Sequence, residues 1–91
     1  MNEDTYQEVE FVVAIVRRLL GRSPEDFVDG VDYKARRSMD EKGVLIELFL
    51  PSDWLAPIIG KGGVTANAIR ELLRTLGSRT NARYSLKLDR L

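Results

Sequence analysis

Three glycines stand within the four residues Gly60-Lys61-Gly62-Gly63. A helix crosses such a stretch only at a cost of about 1 kcal/mol per glycine against alanine. Yet the chain on both sides is patterned for helix. Upstream, Pro51 ends a strand and Ser52 is placed to cap a short helix ending at Ile59. Downstream, Val64, Ala68, Ile69, Leu72, Leu73 and Leu76 recur at helical spacing and predict the buried side of a helix from about Gly63 to Leu76. Gly77 is placed to close it, with residues 78–82 as a polar loop. The glycines thus force two helices joined by a turn.

The flanking segments alternate with period two. Val44, Ile46, Leu48 and Leu50 form one apolar face, with Leu45, Glu47 and Phe49 on the other, which predicts a strand packed against helices. Asp40-Glu41-Lys42-Gly43 supplies a turn before it. Earlier, Val31, Tyr33 and Ala35 alternate with Asp32, Lys34 and Arg36, as in a half-exposed edge strand. The last strand, Arg83 to Asp89, turns Tyr84, Leu86 and Leu88 inward and leaves Ser85 and Lys87 outward, with Arg83 also read as solvated.

At the start, Thr5-Tyr6-Gln7-Glu8 reads as a capping box, with Thr5 as N-cap and Glu8 reaching back to it. Val9, Val12, Val13, Val16, Leu19 and Leu20 then follow a helical stripe that Phe11 and Ile15 widen. Gly21 stands where a C′ glycine belongs. The order is α-β-β-α-α-β. About thirty residues separate the second and third strands, enough for a parallel crossover. The expected fold is α+β: a two-layer sandwich of a three-stranded mixed sheet with three helices on one face. No repeat, linker or low-complexity tail interrupts it.

Of 91 residues, 44% are hydrophobic and 31% charged, the balance of one globular domain. Cysteine and histidine are absent, which removes disulfides, the commonest metal ligands and the Ser-His and Cys-His nucleophile pairs. The remaining acid/base machinery, Glu8/Glu10, Glu25/Asp26 and Asp40/Glu41, falls at a cap, a loop and a turn. Neither an enzyme, a metal site nor a cofactor is expected. The acidic N-terminus lacks a secretory layout, and the apolar run from Phe11 to Val16 is too short to span a bilayer, so a cytoplasmic protein without membrane contact is expected.

Net charge is zero, but unevenly made. Residues 1–50 hold 7 Lys/Arg against 11 Asp/Glu, and residues 51–91 hold 7 against 3. An anionic partner therefore meets the C-terminal half. The glycine loop lies there. Glycines let a phosphate approach the backbone, the next helix offers its positive end, and Lys61 adds a charge. A glycine turn before a helix also serves as plain chain reversal. The spacing is neither a P-loop nor Gly-x-Gly-x-x-Gly.

A Gly-x-x-Gly loop between two short helices, after one strand and before another, is the nucleic-acid clamp of the KH domain. In Val44-Leu45-Ile46-Glu47-Leu48 and from Ile58 through Gly60-Lys61-Gly62-Gly63 to Arg70, the sequence resembles the KhpA-type small bacterial KH proteins. The resemblance runs over nearly the whole chain. It implies a single type II KH domain over residues 1–91, with its core at about 44–89 and an N-terminal α-β extension at about 5–39. It further implies single-stranded RNA binding as an RNA chaperone or post-transcriptional regulator, with single-stranded DNA a related ligand, and a homodimer or a heterodimer with a second KH protein. The alternative is an interaction subunit that pairs with another KH protein and binds nucleic acid weakly.

Carried onto this chain, the resemblance makes Gly60, Lys61, Gly62 and Gly63 the backbone clamp and places Ile58, Ile59 and Val64 on the apolar side of the groove. Pro57, Phe49 and Val64 stand where relatives often carry polar or basic residues, which implies weaker affinity. Pro57 also deletes an amide that would bond back to Asp53, so a kinked or 3₁₀ helix is expected there. Asn67, Arg70 and Arg74 recur on one helix face as a polar rail leading from the loop, or as an ordinary solvated face. Trp54 reads as packing beside the short helix or at a partner surface, with base stacking the lesser role. Leu45 and Phe49, on the strand face away from the helices, suggest a dimer surface.

Overall fold

The computed structural model describes residues 6–91, so Thr5 lies outside the described residues. The expected capping box does not form: Tyr6 is the N-cap of the first helix, without a side-chain cap, and Glu8 turns to Arg37. The first helix, α1, spans Gln7–Leu19 and buries Val12 and Val16 completely. Glu8 is buried too, and its carboxylate accepts from Arg37 Nε at 3.4 Å. The Arg37 guanidinium also lies 3.9 Å from the Tyr6 ring centroid. At the other end, Gly21 N–H bonds Arg18 O (3.1 Å) and Arg22 N–H bonds Arg17 O (3.0 Å), the paired closure of a Schellman motif.

The first strand, β1, spans Lys34–Asp40 and begins three residues after the expected Val31. Hydrogen bonding by aspartates overrides the alternation. Asp32 accepts Val28 N–H at 2.8 Å and donates its own N–H to Val28 O, also at 2.8 Å. Asp29 accepts Ala35 N–H at 3.3 Å. Residues 28–33 therefore close into a tight loop, as Asx side chains favour, and leave Val31 77% exposed.

The second strand, β2, spans Gly43–Leu50 and runs antiparallel to β1, with Lys34 opposite Phe49 and Asp40 opposite Gly43. Val44, Ile46, Leu48 and Leu50 are all buried, as the period-two pattern requires. The third strand, β3, spans Tyr84–Arg90, beginning and ending one residue later than expected, and pairs parallel to β2. The sheet order is β1-β2-β3, mixed as expected, with β2 central.

Between them, α2 spans Ser52–Ile59 and α3 spans Val64–Thr80. Pro51, not Ser52, is the residue before the first helical position, and no side chain caps α2. Pro57 lies inside α2 without turning it into a 3₁₀ helix. An eight-residue helix loses a single bond to that proline, and the burial of Ile58 with Trp54 and Leu55 against the core holds it.

The end of α3 corrects the sequence reading. The helix does not stop at Gly77 but continues to Thr80, and Asn81 closes it at φ +56. Gly77 is buried, and a Cβ built there would stand 2.5 Å from Ala82 O. Its smallness serves close packing of the returning chain, not helix termination. The buried face of α3 is Ala66, Ile69, Leu73 and Gly77, whereas Val64, Ala68 and Leu72 turn outward.

Gly77→Ala separates the two roles. At an open helical site alanine stabilises by about 1 kcal/mol. Here it should destabilise by about 1–3 kcal/mol in urea unfolding, because the added methyl meets backbone.

Candidate nucleic-acid interface

The loop between α2 and α3 is built from backbone conformations that only glycine adopts freely. Gly60, Gly62 and Gly63 have φ of +79°, +66° and +81°. Lys61–Gly63 forms one 3₁₀ turn, with Gly63 N–H on Gly60 O at 3.0 Å. The outer glycine is locked by contact as well. A Cβ on Gly60 would stand 2.5 Å from Thr65 Oγ1, so the loop sits directly on the first turn of α3. Gly62 has nothing within 4 Å of such a position. Lys61 is exposed, and no side chain caps the start of α3. The loop thus presents backbone, a helix amino end and one cation to solvent.

The rail residues continue from this loop. Asn67 Nδ2 lies 3.8 Å from where a Gly63 Cβ would be, and Asn67 Oδ1 accepts from Arg70 Nη1 at 3.1 Å. One turn on, Arg74 pairs with Glu71 at 2.9 Å on the open surface. An ion pair that exposed contributes little and leaves Arg74 free to exchange partners. Arg70 and Arg74 line an open groove of about 550 Å³ between α3 and β3. Its apolar floor is Leu73, Ala82, Tyr84 and Leu86, and Arg83 stands at its other side. Three arginines and no carboxylate line it.

The expected apolar residues divide. Ile58 is only 1% exposed and belongs to the core, while Ile59 keeps 37% of its surface in solvent. Val64, 63% exposed, faces a second and almost wholly apolar groove between α1 and α3, with Ile15, Leu19, Ala68 and Leu72. Arg83 is exposed as expected but precedes β3 and lines the open α3–β3 groove, as do Ser78 and Leu86. Ser78 continues the Arg70–Arg74 spacing and is visible in the sequence once α3 is allowed past Gly77. The contribution of β3 exists only after the parallel crossover forms.

The remaining aromatic groups are occupied or apart. Trp54 packs against Phe27 (5.7 Å between centroids), and the Arg22 guanidinium sits 4.7 Å over its ring, so packing is its observed role. Phe27 also stacks on Tyr33 at 4.2 Å. Burial pushes the Tyr33 hydroxyl pKa upward, and the nearby Asp29 charge adds to that. Leu45 and Phe49 are half-buried on the open sheet face, where Lys34, Arg36 and Leu91 border Phe49. Among the described residues no group of three or more acidic side chains is placed to hold a metal, and no helix is long and apolar enough to cross a membrane.

A Gly-x-x-Gly turn joining two helices, followed by a strand parallel to the one before it, defines a KH domain of the α-β-β-α-α-β arrangement. The family model for the KhpA/KhpB KH domain matches residues 9–88. Over 79 residues the chain is 33% identical to the RNA-binding protein KhpA of Chlamydia pneumoniae, covering 87% of this chain and 92% of that protein. The chain belongs to the KhpA/KhpB family of KH domains.

The two loop glycines should differ in cost. Gly62→Ala adds a methyl to open space and carries only backbone strain, about 1 kcal/mol. Gly60→Ala adds a collision with Thr65 and should cost at least about 2 kcal/mol, read from paired urea unfolding curves.

Proposed function

We propose that this chain binds single-stranded RNA, with the backbone clamped at Gly60-Lys61-Gly62-Gly63 and the bases laid along the α3–β3 groove. The observation that carries this is continuity. Loop, Asn67, Arg70 and Arg74 follow one another along one side of α3, and the groove beside them is cationic with an apolar floor. Phosphates require the charges, and unpaired bases require the floor. RNA binding by the Chlamydia relative supports the same ligand. Single-stranded DNA offers the same backbone charge, and 2′-hydroxyl contacts would separate the two. Such a binder acts in the cytoplasm as an RNA chaperone or post-transcriptional regulator, without catalysis.

The test is fluorescence anisotropy with short labelled single-stranded RNA at two salt concentrations. With Lys61, Arg70, Arg74 and Arg83 engaged, log K should fall with log salt at a slope of about −2 to −3. Lys61→Asp/Gly62→Asp puts two negative charges into the loop, and aspartate tolerates the left-handed backbone at position 62. That variant should keep its circular dichroism spectrum and lose binding. Equal binding by the folded variant would reduce the loop to a chain reversal.

The alternative, an interaction subunit paired with a second KH domain, is favoured by a separate observation. Leu19, Val64 and Leu72 are 56%, 63% and 47% exposed along the apolar α1–α3 groove. This groove is a better pairing surface than the half-buried Leu45 and Phe49. If it is one, Leu72→Glu should shift the chain to a monomer in sedimentation equilibrium while leaving RNA affinity within about twofold.

A further inference from the structure

β3 has β2 on one side only, so part of its backbone faces the groove. Two bonds frame the pairing: Val44 N–H to Arg83 O at 2.8 Å and Leu91 N–H to Leu50 O at 2.9 Å. They assign the odd-numbered residues of this segment to β2. In a parallel ladder the even-numbered Tyr84, Leu86 and Leu88 then turn their N–H and C=O groups to the open edge. The Leu86 carbonyl is not vacant there. Arg70 Nε donates to it at 3.2 Å, while Arg70 Nη1 donates to Asn67 Oδ1 at 3.1 Å.

This capping changes what the edge can read. A free strand residue offers one donor and one acceptor side by side, which complements adenine, whose N6 amine donates and whose N1 accepts. One lone pair of that oxygen is taken, and the positive guanidinium beside it repels a second donor, so Leu86 offers chiefly its N–H, next to the unused N–H groups of Arg70. A guanidinium has no acceptor to offer in exchange. Two adjacent donors complement a base edge with two adjacent acceptors, as cytosine has in N3 and O2.

We propose that Arg70 sets base preference in the groove by masking the Leu86 carbonyl, so that cytosine is favoured over adenine beside Leu86. The proposal rests on the RNA-binding role given above. An adenine at this place either brings its amine against the guanidinium at the second lone pair or displaces Arg70 from Leu86, and the discrimination expected is roughly tenfold.

The experiment compares the full chain with Arg70→Ala and Arg74→Ala, by anisotropy with labelled hexacytidylate and hexaadenylate. Wild type should bind hexacytidylate about tenfold tighter. Arg70→Ala frees the Leu86 carbonyl and should bring the ratio to one or below. Arg74→Ala removes an equal charge from the same groove without touching β3, and should weaken both oligonucleotides while keeping their ratio. Arg70→Met, which retains the aliphatic stem, gives the same readout if the alanine variant unfolds. Binding with a ratio unchanged in Arg70→Ala, or changed equally in Arg74→Ala, overturns the role of Arg70 alone. Absence of wild-type binding to either oligonucleotide overturns this role and the RNA-binding reading together.

Discussion

The parallel pairing of β3 with β2 is the constraint on which the other features depend. A strand that is to run alongside its predecessor in the same direction needs the chain carried back to its starting end. Here α3 is the return path. Its 17 residues cover about 25 Å, close to the roughly 23 Å of the seven-residue β3. Helix and strand face each other from Arg70 to Ser78 and from Ala82 to Leu86, with the glycine loop before the helix and the Asn81–Arg83 connection after it. The groove is the space between them. Shortened at Leu76, α3 would leave Ser78 and Ala82 without fixed places on the groove wall.

That dependence explains what could be read in the sequence. The apolar alternation of Val44 to Leu50 identified the central strand, because a strand buried on one face shows period two directly. The glycines of the loop were legible because no other residue adopts three positive φ values so closely spaced. Gly77 was misleading. A glycine near the end of a helical pattern has two causes, a stop or a close approach, and only the position of Ala82 O distinguishes them. Val31 failed for a local reason: Asp29 and Asp32 offered the backbone bonds that an edge strand would otherwise have found. The rail of Asn67, Arg70 and Arg74 was visible as helical spacing, but its partner wall was not. Arg83, Tyr84 and Leu86 join it only through the crossover.

The N-terminal half, net acidic, is fastened to this frame rather than to the groove. α1 buries Val12 and Val16, and the buried Glu8 meets Arg37 of β1 beneath solvent. Phe27, Tyr33 and Trp54 tie the intervening loop to α2. Arg70, Arg74 and Arg83 line the α3–β3 groove without a carboxylate, so part of the basic excess of residues 51–91 is gathered at one place. A chain of zero net charge is thereby given one cationic groove, which suits a local ligand contact and not a coating of bulk charge.

The central claim is that loop and groove form one binding surface. The most direct measurement is titration of the isotopically labelled chain with a short single-stranded RNA, following backbone amide shifts. The account predicts the largest changes at Lys61 to Gly63, Asn67, Arg70 and Tyr84 to Leu86, with Leu45, Phe49 and Lys87 on the open sheet face unmoved. Changes confined to the sheet face or to the α1–α3 groove, with the glycine loop silent, would contradict it.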